Sequence, residues 1–231
     1  MMNEVLENIA VVFDLDGTLI DSVPDVCAAV NRVLESRRRP PLGVDRVRTM
    51  VGDGARAMLD LAFAGCGDPL PADAIDGAVE QYLEFYKQEP VKRTIVYPGV
   101  RPVLKSLADR GVPMGVCTNK PYVMSTIVLE KLDLAPFFCG VTGGDNVPHR
   151  KPDGRHITLT LDLMGADPAV AVMVGDNETD VAAARDAGLP VIAVSYGYAR
   201  VPPEQLGADA LIGHFDLVPE TLACIIAQRT P

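Results

Sequence analysis

The sequence predicts an α/β fold built on a central parallel sheet, with an α-helical insert after the first strand. Two observations carry this. Strand-like apolar runs at residues 9–13, 112–117, 170–174, 190–194 and 208–212 alternate with helix-like segments at 99–110, 121–132, 154–164 and 178–187. Strands alternating with helices of that length imply βαβ units and hence parallel pairing. Between the first two runs, the stretch 21–93 has no long β-branched run but carries amphipathic patterns at 26–34, 56–62 and 74–86.

The first run, Ile9-Ala10-Val11-Val12-Phe13, is apolar and β-branched with no polar relief, as expected of a strand covered on both faces. Gly111, Gly165 and Gly188 follow helical segments, where a left-handed C-cap is expected. Pro98 and Pro121 fall at helix starts, where a proline costs nothing. The organisation is therefore a discontinuous core, 1–20 with 94–231, and a helical insert over 21–93. The Arg37-Arg38-Arg39 run within the insert reads as a solvated helix end, and residues 222–227 as a core-packing helix.

The 231-residue chain is 48% hydrophobic, enough for a sizeable core without disulfide staples. Its formal net charge of −10 argues against nucleic acid or an anionic membrane as a partner, because both select basic surfaces. Cys27, Cys66, Cys117, Cys139 and Cys224 are odd in number and lack a Cys-x-x-Cys pair, which suits a reducing cytoplasm and argues against zinc. His149, His156 and His214 are dispersed, as surface or helix-cap residues would be. Neither a signal peptide nor an apolar run of the ~20 residues needed for a membrane span is visible, so a cytoplasmic protein is expected.

The chemistry sits at the strand ends. Gly17 breaks the first strand, so Asp14 and Asp16 lie at its carboxyl end, where open α/β sheets place their ligands. Two such anions repel unless a cation, a shared proton or a substrate offsets them. A bare Asp-Gly turn would account for the dipeptide alone. Thr118-Asn119-Lys120 closes a second strand, with hydroxyl, amide and backbone donors suited to phosphate oxygens or simply to a helix cap. Lys151-Pro152 lies in a loop after Gly143-Gly144-Asp145. Gly175-Asp176 ends another strand, and Asp180, four residues on, shares a helix face with Asp176.

In this order and placement, Asp14-x-Asp16-Gly17-Thr18, Thr118, Lys151 and Gly175-Asp176-x-x-x-Asp180 resemble the haloacid dehalogenase superfamily over essentially the whole chain. The resemblance implies a Rossmann-like core with an α-helical cap domain inserted after the first strand. It also implies Asp14 as a nucleophile that forms an aspartyl-phosphate, and Asp16 as general acid/base. Thr18, Thr118 and the Asn119 amide would hold phosphoryl oxygens, and Lys151 would neutralise charge, with Lys120 a second candidate for that role. Mg²⁺ would be held by Asp14, Asp176 and the Asp16 carbonyl, with Asp180 orienting that shell. Two departures bear on loop geometry: Gly154 stands where relatives often show a second proline, and Asn177 replaces a frequent serine.

The segment Met50-Val51-Gly52-Asp53-Gly54-Ala55-Arg56 and the later Tyr97-Pro98-Gly99-Val100 resemble phosphoglycolate phosphatases. The resemblance implies that Gly52 brings backbone close to the substrate and that Arg56 clamps a carboxylate. A helix-start loop with a solvated arginine is the plainer reading of the same residues. The expected activity is Mg²⁺-dependent hydrolysis of a small-molecule phosphate ester, 2-phosphoglycolate first, by a monomer or homodimer. A sugar-phosphate phosphatase, a phosphomutase and a non-catalytic binding protein are the alternatives.

Overall fold

In the computed structural model, which describes residues 9–67 and 69–229, six parallel strands form one sheet in the order β5-β4-β1-β6-β7-β8. These are β1 (Ala10–Phe13), β4 (Met114–Cys117), β5 (Gly140–Thr142), β6 (Ala171–Gly175), β7 (Val191–Val194) and β8 (Ala210–Ile212). The central strand pairs on both sides, with Phe13 opposite Val116 on one and Val174 on the other. Strand order therefore reverses at β1, between β4 and β6, and the crevice at their carboxyl ends is where such sheets bind ligands.

The pleat divides β1 between two cores. Val11 and Phe13 join a cluster with Leu104, Leu107, Phe215 and Leu222, while Ala10 and Val12 join another with Ile157, Leu161, Met173 and Ala183. Helices Val100–Asp109, Tyr122–Lys131 and Val218–Arg229 supply the first face, and Arg155–Met164 with Glu178–Asp186 the second. Both faces are covered, so the apolar run that predicts β1 has no solvent side to relieve it.

Between β1 and β4 lie helices Val23–Ser36, Val44–Arg48, Ala55–Gly65 and Ile75–Gln88. They share a third cluster, with Val30, Leu34, Leu59, Phe63 and Tyr86 fully or almost fully buried. Met124 and Tyr198, from beyond this segment, belong to the same cluster, so it packs onto the sheet-bearing part. Two short antiparallel strands, β2 (Ile20–Asp21) and β3 (Ile95–Val96), carry the chain into and out of the segment. Asp25 pins that exit: one carboxylate oxygen accepts from the Arg93 N–H, the Thr94 N–H and the Thr94 hydroxyl, each at 2.8 Å.

The sequence pattern does not foresee four short elements. β5 contains one branched apolar residue, Val141, between Gly140 and Thr142. A Cβ on Gly140 would come within 2.8 Å of the Met164 side chain, so a residue that weakens a strand is required by the packing. The β2–β3 pair and the five-residue helix Val44–Arg48 are too short to carry a periodicity. No helix among the described residues is long and apolar enough to cross a membrane, and all five cysteines are free.

Candidate active site

Asp14 is placed by its own backbone, whose N–H continues the β1–β6 ladder onto the Val174 carbonyl at 2.9 Å. The chain then turns at Gly17, whose φ of 93° is a left-handed conformation that glycine adopts without strain. A Cβ there would also lie 2.4 Å from an Asp176 oxygen, so the close approach needs glycine twice over. The turn brings the β1 carboxylates against the end of β6.

Each of the two acids meets its own buried lysine. Lys151 Nζ lies 2.7 Å from Asp14 Oδ1 and 2.6 Å from Asp180 Oδ1. Lys120 Nζ lies 3.0 Å from both Asp16 oxygens and 4.6 Å from the centre of the Tyr86 ring. The Ser22 hydroxyl donates to Asp16 Oδ1 at 2.5 Å. Of the two candidate lysines, Lys151 stands beside Asp14 and Lys120 beside Asp16.

Asp176 accepts from the Thr18 hydroxyl at 2.9 Å and from the Tyr198 N–H at 2.6 Å. Asp180 closes a capping box over helix Glu178–Asp186: its Oδ2 accepts from the Asp176 and Asn177 N–H groups at 2.9 and 3.1 Å. Asp14, Asp176 and Asp180 each present an oxygen within 4.8 Å of the others. Three buried carboxylates thus face a single ammonium. Burial, opposed by Lys151 and reinforced by Asp180 and Asp16, pushes the Asp14 carboxyl up to about 7. Burial, reinforced by Asp180 and Asp14, pushes Asp176 well above its ordinary range. Burial pulls the Lys151 ammonium down, but Asp14 and Asp180 outweigh it and the net shift is upward. A hard, oxygen-only donor set that is short of positive charge fits a divalent cation of the Mg²⁺ kind.

The site opens into a cleft lined by Asp14, Asp16, Thr118, Asn119 and Lys120 from the sheet side. Val26, Val51, Met58 and Tyr82, with Gly52 and Gly54, line it from the helical segment.

The structure moves four residues away from their expected tasks. Thr18 turns its hydroxyl to Asp176 rather than into the cleft. The Asn119 amide donates to Gly52 O and Lys151 O, both at 2.9 Å, so both of its protons are already taken. It ties the helical segment to the Lys151 loop instead of offering itself to phosphate. Arg56 pairs with Asp76 on the outer face of its helix and does not line the cleft, because a residue at the second helical position points off the loop that faces the sheet. His156, expected at the surface or at a helix cap, is fully buried in the first turn of helix Arg155–Met164, and its Nδ1 accepts from the Lys151 N–H at 3.3 Å.

Sequence reasoning missed Ser22, Tyr198 and Tyr82. Ser22 stands before a Val-Pro helix start, where a hydroxyl ordinarily signals an N-cap. Here it makes no cap bond and goes to Asp16 instead. Tyr198 acts through its backbone N–H, which no residue type announces. Tyr82 belongs to an amphipathic stripe that reads as core, and its ring does stack on Tyr86 at 5.7 Å.

A buried nucleophile-competent carboxylate beside a lysine, a second acid next to it and a metal-competent cluster at a topological switch point define a hydrolase of the haloacid dehalogenase class. The family model for haloacid dehalogenase-like hydrolases matches residues 10–188, and the chain belongs to that family. It is 43% identical over 220 residues to the phosphoglycolate phosphatase of Caulobacter vibrioides, covering 95% of this chain and 92% of the relative. It is 43% identical over 210 residues to the phosphoglycolate phosphatase of Rhodospirillum rubrum, covering 89% of this chain and 87% of the relative. Among solved structures, a "predicted phosphoglycolate phosphatase" from Haemophilus somnus 129PT superposes with a TM-score of 0.85 at 27% identity, covering 93% of this chain and 98% of that one.

Proposed function

We propose that this chain is a phosphomonoesterase of a small metabolite, with 2-phosphoglycolate as its substrate. The observation that supports this best is the division of the two site carboxylates between two buried lysines. Asp14, beside Lys151, is suited to attack phosphorus. Asp16, on Lys120 and Ser22, is set apart to give a proton to the leaving alkoxide and later take one from water. The same chemistry is implied by the names of the relatives, which act on a phosphorylated two-carbon acid.

In this reading the Asp14 carboxylate displaces the alkoxide and becomes an aspartyl-phosphate. Asp16 protonates the departing oxygen, and Thr118 and Lys151 hold the phosphoryl oxygens. Asp16, deprotonated by that transfer, then takes a proton from the water that attacks the acyl-phosphate, releasing phosphate and restoring Asp14. Mg²⁺ would be held by the Asp14 and Asp176 carboxylates and the Asp16 carbonyl, and when bound it supplies the positive charge that offsets phosphate against Asp14. The helical segment acts as a cap that covers the cleft and excludes water, tied across it by Asn119 to Gly52 and by Arg200 to Asp53 at 2.7 Å. Five free cysteines suit a reducing cytoplasm.

The test is phosphate release from a panel of small phosphomonoesters with and without Mg²⁺, using Asp14→Asn as control. Mg²⁺-dependent turnover that favours 2-phosphoglycolate and vanishes in the variant supports the reading. Preference for a sugar phosphate keeps the chemistry and replaces the substrate. Turnover of no ester, or accumulation of a bisphosphate, rejects it.

A further inference from the structure

The cleft has an apolar ceiling and one cationic side chain. Val26, Val51, Ala55 and Met58 line it from the helical segment, and Lys120 is the only Lys or Arg among the described residues that line it. Lys151 is held between Asp14 and Asp180 and serves the phosphate side. Arg56 is paired with Asp76, and Arg200 with Asp53.

The position of Lys120 decides which part of a substrate it meets. An in-line attack by Asp14 sends the leaving oxygen to the far side of phosphorus, toward the acid that protonates it. That acid is Asp16, and Lys120 grips it at 3.0 Å. Atoms one or two bonds beyond the ester oxygen therefore come up against Lys120. Its ammonium carries three donors, the Asp16 pair uses two contacts, and the remaining side rests on the Tyr86 ring at 4.6 Å. A carboxylate is a far stronger partner for that side than a ring face.

Tyr82 lines the same cleft, and its hydroxyl makes no hydrogen bond among the described residues. It is 4% exposed, and burial pushes the phenol up, so it stays a proton donor. Because Tyr82 lines the cleft, a ligand seated there can accept the phenol proton in a hydrogen bond.

We infer that Lys120 and the Tyr82 hydroxyl form a subsite for a carboxylate carried on the carbon next to the ester oxygen, and so select α-phosphoryloxy acids over neutral phosphate esters. The inference rests on the phosphomonoesterase reading and adds to it the residues that choose the leaving group.

The experiment compares kcat/KM for 2-phosphoglycolate and for ethyl phosphate, which replaces the carboxylate by a methyl group. Wild type is expected to favour the acid. Lys120→Met is expected to cut that preference about 10- to 100-fold, the worth of a hydrogen bond to a charged group. Because Lys120→Met also strips Asp16 of its counter-charge, Tyr82→Phe serves as a near-isosteric second variant. It should reduce the preference by about tenfold, mostly through KM, and weaken competitive inhibition by glycolate. The exposed Arg150, whose guanidinium comes within 3.6 Å of a Cβ built on Gly54, is the rival at the rim, and Arg150→Ala should keep the preference.

Equal losses on both esters in Lys120→Met and Tyr82→Phe would overturn the subsite, as would a preference that disappears only in Arg150→Ala. A wild type that hydrolyses both esters equally well overturns the subsite while the phosphomonoesterase reading stands. A wild type that hydrolyses neither rejects 2-phosphoglycolate as the substrate and the subsite with it, while turnover of another ester in the wider panel keeps the phosphomonoesterase reading.

Discussion

Lys151 Nζ bridges Asp14 and Asp180, at 2.7 and 2.6 Å, and thereby couples the end of β1 to the helix that follows β6. All three side chains are almost completely buried. The bridge is structural as well as chemical. Removing the ammonium leaves two like charges in a low-dielectric site, where breaking a buried pair costs about 3–5 kcal/mol.

Lys151→Met should therefore abolish turnover and also lower stability in urea by an amount of that order. Lys151→Arg, too large for a site enclosed on all sides, should rescue neither property. A Lys151→Met variant as stable as the parent would show that the two carboxylates share a proton in place of the lysine.

Strand ends and their acids were legible because buried parallel strands are uninterrupted apolar runs and because glycine punctuates them. Asp14, Asp16, Lys151 and Asp176 meet where the reading of the strand order puts them. What the chain does not spell out is the direction of a side chain. Thr18 and Asn119 stand at the correct strand ends, yet their polar atoms turn to Asp176, Gly52 and Lys151. Arg56 is one helical position from the cleft, and that rotation alone carries it to Asp76. His156 sits in a helix whose inner face also holds Ile157, Thr160 and Leu161, and a lone histidine on such a face gives no sign of which backbone group it will meet.

Two glycines close to Asp176 set a test of the acidic cluster as a metal site. A Cβ on Gly197 would fall 2.2 Å from the Asp176 Cβ and 2.5 Å from its Oδ2. No flexible group lies there to yield, so Gly197→Ala must displace the carboxylate. The Mg²⁺ concentration for half-maximal activity should rise at least about tenfold, in line with the cost of disturbing a ligand's support. Saturating Mg²⁺ should recover much of the rate. An unchanged Mg²⁺ dependence would remove Asp176 from the metal site.

Asp25 offers a stability test away from the chemistry. One oxygen takes three donors, two of them backbone N–H groups at the exit from the helical segment. Asp25→Ala would leave those donors without a partner, at about 1–3 kcal/mol for each group that stays buried. Urea unfolding should show a loss of about 2–4 kcal/mol, with KM for the substrate rising because the exit from the helical segment is no longer held in register. A loss under about 0.5 kcal/mol, the level of an ordinary surface change, would mean that water replaces the carboxylate.

His156 predicts how the protein responds to acid. Its Nδ1 accepts from the Lys151 N–H, and its Nε2 is buried with no partner among the described residues. Burial first, then the nearby Lys151 ammonium, with Asp153 opposing and His149 assisting, lowers its pKa from 6.5 to about 3. The folded protein therefore refuses a proton that the unfolded chain accepts below about pH 6.5. With more protons bound in the unfolded state, stability rises with pH across that window. The contribution is complete above about pH 6.5 and is lost as the pH falls toward 3. His156→Gln keeps an acceptor for the Lys151 N–H and removes the titration. The melting temperature of the variant should then fall less than that of the parent between pH 7 and pH 4, whatever constant offset the substitution introduces. Groups such as Asp153, held low by Arg155, titrate in both proteins and cancel in the difference. Parallel melting curves across that range would show that His156 is reached by solvent and protonated in the folded state.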